Sequence, residues 1–90
     1  MNTEAATTED RVRAVLVRYL EPRWQAEPDS RIEINGNTNL TSDLTLDSFQ
    51  IMEFLMEIED EMDIAMDMNS LSDVHTVSDL AVVVDRLVNS

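Results

Sequence analysis

The segment SFQIMEFLMEIEDEM, residues 48–62, constrains the fold most, because it carries apolar residues on two sides of a predicted helix. At roughly 100° per residue, one apolar stripe has the width of a buried helix face. Its members are Ile51, Phe54, Leu55, Ile58 and Met62. Nearly opposite lies a second stripe of Phe49, Met52 and Met56. The pattern predicts an amphipathic helix over about 49–62 with more apolar surface than one core contact needs.

An earlier segment also shows helical periodicity. It predicts a first helix at about 8–20, capped by Thr7 or Thr8 and stopped by Pro22. The apolar face of this helix consists of Val12, Val15, Leu16, Tyr19 and Leu20.

The last helix is predicted to begin after Thr76, with Asp79 three residues later, as in a capping box. Its predicted buried stripe consists of Val77, Leu80, Ala81, Val84, Leu87 and Val88. Between the second and last helices, residues 69–73 predict at most a short turn of helix.

Residues 21–47 have the composition of a loop, with two prolines, an Asn-Gly pair and many short polar residues. Polar and apolar residues alternate briefly in RIEING, residues 31–36, as in a β-strand. No other segment offers a strand to pair with it, and an isolated strand is not stable. Five apolar residues are expected to pin the loop to the core, with Trp24 covering the end of the bundle. They are Ile32, Ile34, Leu40, Leu44 and Leu46.

These segments together predict an all-α four-helix bundle. It has three main helices, a short third helix and a long loop between helices 1 and 2. A flexible N-terminus at 1–7 is expected to precede a single domain at 8–90.

Charge and composition exclude several classes of function. The chain has 19 acidic residues and a formal net charge of -13, so nucleic acid and anionic lipid are repelled. Residues 32–90 hold 13 of the acids and only one arginine, Arg86, which favours basic protein partners. Solubility alone is the simpler interpretation of the same charge. Cysteine is absent, and one histidine is too few for most transition-metal sites. No apolar run approaches the roughly 18 residues of a membrane span, so a cytoplasmic protein is expected.

The second stripe of the middle helix predicts an interaction surface. Phe49, Met52 and Met56 have no further predicted helix to pack against, and acidic residues lie among them. Apolar surface left in water costs roughly 25 cal/mol per Å², and an apolar strip rimmed by like charge is a usual form of docking site. In the alternative interpretation, Met52 or Met56 packs beneath the long loop and Phe49 alone is exposed.

Ser48 stands where the middle helix begins, with Asp47 before it and Gln50 three residues beyond Asp47. Serine or aspartate at such a position caps the first-turn amides, which is worth about 1 kcal/mol. A hydroxyl at a helix N-terminus is also well placed to carry a phosphodiester, because the helix dipole and free amides stabilise an anion there.

Residues 43–64, DLTLDSFQIMEFLMEIEDEMDI, resemble the acyl carrier protein family, whose hallmark is D-L-G-x-D-S-L followed by an acidic amphipathic helix. The resemblance extends over the whole chain, including LTSDL upstream and HTVSDLA at the last helix. It implies that a phosphopantetheinyl transferase attaches 4'-phosphopantetheine to Ser48, and that the thiol of this arm carries an acyl group as a thioester. Asp47 would assist docking or metal placement by the transferase.

The resemblance also implies one surface for partner enzymes and one for the cargo. Acyl-loading and acyl-using enzymes with basic patches would contact Phe49, Met52, Glu53, Met56, Glu59 and Asp60. The apolar space between helices that shelters an acyl chain would be lined by Phe54, Leu55, Ile58, Met62, Val77, Leu80, Ala81 and Val84. Such a carrier is expected to be a monomer without catalytic activity and without a metal.

The chain departs from the family pattern at several points. Thr45 replaces the usual glycine, so the turn before Asp47 is expected to adopt a conformation that a β-branched residue tolerates. Phe49 replaces the usual leucine, the proline common after the second helix is missing, and the loop after helix 1 is longer. These departures indicate a specialised carrier of lipid or secondary-metabolite synthesis rather than the housekeeping carrier of fatty acid synthesis.

Two classes of cargo are compatible with the sequence. The segment LTLDS lacks the glycine-rich sequence that precedes the serine in many peptidyl carriers. The favoured cargo is therefore a fatty or polyketide-type acyl group. An aminoacyl cargo, of the D-alanyl or peptidyl type, is the alternative.

Other functions fit the residues less well. A hydrolase using Ser48 needs a base, but His75 lies far along the chain in a predicted loop and no G-x-S-x-G motif is present. The acids around residues 60–67 lack the spacing and central glycine of an EF-hand. A small acidic interaction protein accounts for the charge and the second stripe, but not for Asp-Ser at the head of that helix.

Overall fold

Three α-helices and two 3-10 turns carry the fold of the residues that the structure describes. The computed structural model describes residues 7–89, apart from the side chains of Met68 and Ser70. The helices are α1 (Thr8–Ala26), α2 (Ser48–Met62) and α3 (Val77–Val88), and the 3-10 turns are Pro28–Ser30 and Met68–Leu71. Within this part of the chain there is no strand, only an isolated bridge between Asn39 and Thr76.

The all-α prediction is confirmed. The second 3-10 turn takes the place of the short helix predicted at 69–73. The predicted flexible N-terminus lies outside the described residues, apart from Thr7. No helix in the described range is long and apolar enough to cross a membrane.

Helix α1 continues past the proline that was predicted to stop it. It runs to Ala26 with Pro22 inside it, so the prediction of an end near residue 20 is wrong. Proline removes one backbone donor from the helix, and this cost is local. Leu20 and Trp24 lie one turn apart and are both buried, and the packing of this extra turn outweighs the lost hydrogen bond. The continuation matters for function, because it carries Arg23 as well as Trp24.

Each helix begins with a capping box, in which the cap side chain and the third residue of the helix satisfy each other's backbone amides. The pairs are Thr7 with Asp10, Asp47 with Gln50, and Thr76 with Asp79. The capping box predicted for α3 is confirmed. All three helix starts are therefore fixed by local sequence.

The core lies where α1 packs against α2 and α3. Its fully buried side chains include Phe54, Ile58, Leu16, Leu80, Val12, Val77 and Val84. Two residues of the predicted buried stripe of α3 are not fully buried: Leu87 is half-buried and Val88 is exposed. Both belong to the last turn of α3, at the end of the bundle.

The long loop is held against the core by leucines and against α3 by backbone hydrogen bonds. Leu40, Leu44 and Leu46 are buried and Ile34 is partly buried, as predicted. Ile32 is 36% exposed, so its predicted role as a pin is wrong. It borders an open groove along α1, together with Trp24 and Arg31, rather than entering the core. Trp24 itself is buried, and the Arg31 guanidinium lies 4.6 Å from its ring centroid.

Three backbone bonds tie the loop to the start of α3. The amide of Leu40 donates to His75 O at 2.9 Å, that of Val77 to Thr38 O at 3.1 Å, and that of Ser78 to Gly36 O at 2.9 Å. The loop thus enters α2 from a fixed position beside α3.

Candidate functional site

Ser48 is the first residue of α2 and its side chain is exposed. Asp47 is the cap of this helix: its carboxylate accepts the Gln50 amide at 2.8 Å, and Gln50 Oε1 accepts the Asp47 amide at 3.1 Å. The helix therefore starts one residue before the predicted Phe49, and Asp47 rather than Ser48 does the capping. Among the described residues, no side chain or backbone group is hydrogen-bonded to the Ser48 hydroxyl. The hydroxyl is thus free for chemistry at the positive end of α2.

The turn before the site has an unexpected backbone conformation. Thr45 has φ 52°, in the left-handed region, so the expectation that this turn suits a β-branched residue is wrong. Arg23 of α1 explains how the turn is held. Its Nη1 donates to Leu44 O at 3.0 Å, and its Nη2 donates to Thr45 Oγ1 at 2.9 Å.

A cleft of about 340 Å³ opens beside Ser48. It is lined by Ser48, Ile51, Met52, Leu55, Leu71, Ser72 and Val74. Of the eight residues predicted to shelter a cargo, Leu55 alone lines this cleft, and all eight are buried in the core. Leu71 and Val74 also line the cleft, but sequence periodicity does not identify them, because their segment is predicted to be only a short turn and a loop.

The second apolar stripe of α2 is exposed. The exposed fractions are 69% for Phe49, 48% for Met52 and 62% for Met56. The alternative in which Met52 or Met56 packs beneath the long loop is therefore wrong. We call these three residues the outer stripe.

The acids predicted to accompany the outer stripe differ in their bonding. Glu53 Oε1 accepts the Tyr19 hydroxyl at 2.7 Å, and Glu59 Oε2 accepts the Met66 amide at 2.7 Å. Asp60 is exposed, as is Glu57, and neither is hydrogen-bonded or ion-paired with any part of the chain that the structure describes. Met56, Glu57, Glu59 and Asp60 border one shallow depression. Two of the three predicted acids thus have structural bonds, and Glu57 lies in the same surface as Asp60.

The Tyr19 phenol shows how closely the first two helices meet at this point. Burial, followed by the hydrogen bond to Glu53 and the negative charge of that residue, raises the pKa of Tyr19 to about 12. The Tyr19 ring packs on Phe54 with 6.1 Å between centroids. Glu53 therefore ties the outer side of α2 to α1.

His75 is the other candidate for chemistry that the sequence offers. His75 is exposed before α3, where its amide donates to Asp79 Oδ2 at 3.0 Å. Within residues 7–89, no group of three or more histidine, aspartate or glutamate side chains could hold a metal ion.

Comparison with known families identifies the family of this chain. The family model described as the phosphopantetheine attachment site matches residues 13–84, which is most of the chain. No curated protein matches the chain. Because the matched range includes α2, the loop before it and the core of α3, the chain belongs to the phosphopantetheine-binding carrier protein family, whose domain attaches a 4'-phosphopantetheine prosthetic group.

Proposed function

We propose that this chain is an acyl carrier protein that bears its 4'-phosphopantetheine on Ser48. The observation that carries the proposal is an exposed, unbonded hydroxyl at the start of a capped helix, beside an apolar cleft. The bound arm would supply a flexible thiol for thioester chemistry. The acyl group is then delivered to partner enzymes of lipid or secondary-metabolite synthesis.

The residues around Ser48 fit a phosphate ester. The backbone amides of Ser48 and Phe49 donate to no acceptor in the described residues, and the helix dipole adds positive potential there. Attachment forms a bond between Ser48 Oγ and phosphorus, breaks the pyrophosphate of coenzyme A, releases the nucleotide part and passes the hydroxyl proton to a base of the transferase. Asp47 keeps the helix start rigid while its carboxylate stays at the surface.

The cleft supports an acyl cargo over an aminoacyl one. Ile51, Leu55, Leu71 and Val74 give it mainly apolar walls, and an alkyl chain gains about 0.8 kcal/mol for each CH₂ that it buries. This cleft, rather than the close-packed centre of the core, is the entrance that we assign to the cargo. An aminoacyl group of the D-alanyl or peptidyl type remains the alternative, and loading by candidate ligases followed by the attached mass distinguishes the two.

The outer stripe and the free acids Glu57 and Asp60 form the docking surface of this proposal. Carrier proteins are modified by phosphopantetheinyl transferases and interact with further enzymes. Basic patches on such partners match an apolar strip flanked by unpaired carboxylates. We predict further that the carrier is non-catalytic, cytoplasmic, monomeric and specialised.

The test is the intact mass after incubation with a broad-specificity phosphopantetheinyl transferase and coenzyme A. We expect the wild type to gain one phosphopantetheine, Ser48→Ala to gain none, and the exposed loop variant Ser42→Ala to behave as the wild type. A wild type that gains nothing, or a gain that survives Ser48→Ala, contradicts the proposal. A small acidic interaction protein, the competing function, predicts the first of these results.

A further inference from the structure

The turn that leads to Ser48 adopts a conformation that its own residue disfavours. Thr45 has φ 52°, and a Cβ atom makes the left-handed region less favourable by about tenfold relative to the right-handed one. A β-branched side chain is especially poor there. The glycine usual in related carriers has no such restriction. Something other than local propensity therefore holds Thr45 in place.

Arg23 provides that restraint through contacts that glycine could only partly supply. Its two terminal nitrogens bond Leu44 O and Thr45 Oγ1 at 3.0 and 2.9 Å. The Thr45 hydroxyl in turn donates to Leu44 O at 2.6 Å. The guanidinium, the hydroxyl and the carbonyl form a closed set of three hydrogen bonds. A planar guanidinium can make this two-point contact, whereas an ammonium group cannot reproduce it.

The position of Arg23 is itself fixed by packing. Arg23 lies beyond Pro22, in the extra turn of α1, next to the buried Trp24. Leu20, Trp24, Leu44 and Thr45 line one small cavity of about 220 Å³ together with Arg23. The end of α1 therefore presents the guanidinium to the Leu44–Thr45 turn from a rigid base.

Only two residues separate this turn from the attachment serine. Leu46 is buried and Asp47 caps α2, so neither can absorb a change in the backbone at Thr45 without losing its own contact. A change in the turn would shift the start of α2, and with it the Ser48 hydroxyl.

From this geometry we infer that Arg23 is a positioning residue for the modification of Ser48. It holds the Leu44–Thr45 turn in the left-handed conformation and so fixes how Ser48 is presented to the transferase. The inference rests on the proposed attachment at Ser48 and adds a residue of α1 to that site.

A cycle of variants tests the inference through kcat/KM for phosphopantetheine transfer. Arg23→Ala is expected to lower kcat/KM about tenfold, because the strained turn loses its restraint. Thr45→Gly is expected to stay within about twofold of the wild type, since glycine adopts this conformation unaided. In the Thr45→Gly background, Arg23→Ala is then expected to cost about twofold or less. Arg11→Ala, an exposed arginine at the other end of α1, is the matched control and should have no effect.

Arg23→Lys separates positioning from a direct charge contact with the transferase. It keeps the positive charge but cannot make the two-point contact, so the inference predicts a loss close to that of Arg23→Ala. If Arg23→Ala does not fold, Arg23→Lys replaces it as the test variant. Urea unfolding of each variant shows whether it is folded.

Three results would overturn the inference. They are wild-type kcat/KM for Arg23→Ala, an equal loss in the Thr45→Gly background, and a wild-type rate for Arg23→Lys. Each leaves the proposed function intact, because the wild type would still be loaded and Ser48→Ala would not. A wild type that is not loaded contradicts the proposed function and this inference with it.

Discussion

The inner and outer faces of α2 are built from similar residues but have opposite surroundings. Phe54 and Ile58 on the inner face are fully buried, whereas Phe49 is 69% and Met56 62% exposed on the outer face. The inner face meets α1 and the rest of the core. The outer face is exposed to solvent beside carboxylates, and its Met52 borders the cleft at Ser48. The difference shows that hydrophobicity on this helix divides into a part that stabilises the fold and a part available to other molecules.

The largest expected effect is on stability and separates the two faces directly. Ile58→Ala should lower the free energy of unfolding by about 3–4 kcal/mol, because it removes a fully buried side chain from the core. Met56→Ala, on the outer face of the same helix, should change it by less than about 0.5 kcal/mol. Urea unfolding measures both. Similar losses for the two variants would mean that the outer stripe belongs to the fold and is no free surface.

The next effect is on partner binding and concerns the outer face alone. Asp60→Lys should lower kcat/KM for phosphopantetheine transfer by about tenfold at low salt, since it reverses an exposed, unpaired charge beside Met56. The loss should shrink as salt is added. Glu33→Lys makes the same charge change on an exposed acid of the long loop and should have little effect. An equal loss for the two variants would attribute the effect to net charge rather than to this surface.

The smallest expected effect tests the bond that joins the outer side of α2 to α1. Glu53→Gln should lower the pKa of Tyr19 from about 12, because it removes a carboxylate that favours the neutral phenol. The pKa should stay above 10.0, since burial is the larger cause and remains. Ultraviolet titration of the phenolate reports this residue alone, because the chain has one tyrosine.

The same bond predicts how stability depends on alkaline pH. A folded-state pKa above the unfolded value contributes stability that is fully present below pH 10 and is lost as the pH rises from 10 to about 12. Glu53→Gln should reduce this loss relative to the wild type. An unchanged Tyr19 pKa in the variant would show that Glu53 does not hold the phenol and is free to act in docking.

Sequence patterns predicted the features of this fold that depend on neighbours in the chain. The helical period separated Phe54 and Ile58 from Met52 and Met56, and the residues around Thr76 indicated the capping box of α3. Such features follow from spacing, because residues three or four apart share a helix face.

The predictions failed where contacts between distant segments outweigh a local rule. Pro22 alone indicates a helix end, but Trp24 anchors a further turn in the core. Thr45 alone indicates a turn outside the left-handed region, but its hydrogen bond from Arg23 holds it in the left-handed conformation. The cleft beside Ser48 combines the start of α2 with residues 71–74, which no spacing in the sequence relates.

The central claim is that Ser48 bears the prosthetic group, and a site-resolved mass measurement tests it most directly. After loading with coenzyme A and the transferase, cleavage at arginine releases a peptide of residues 32–86 that contains Ser48 together with several other serines and threonines. Fragmentation of this peptide should place the added phosphopantetheine on Ser48. Placement on another residue, such as Ser72 in the same cleft, would contradict the account, as would a peptide that carries no addition.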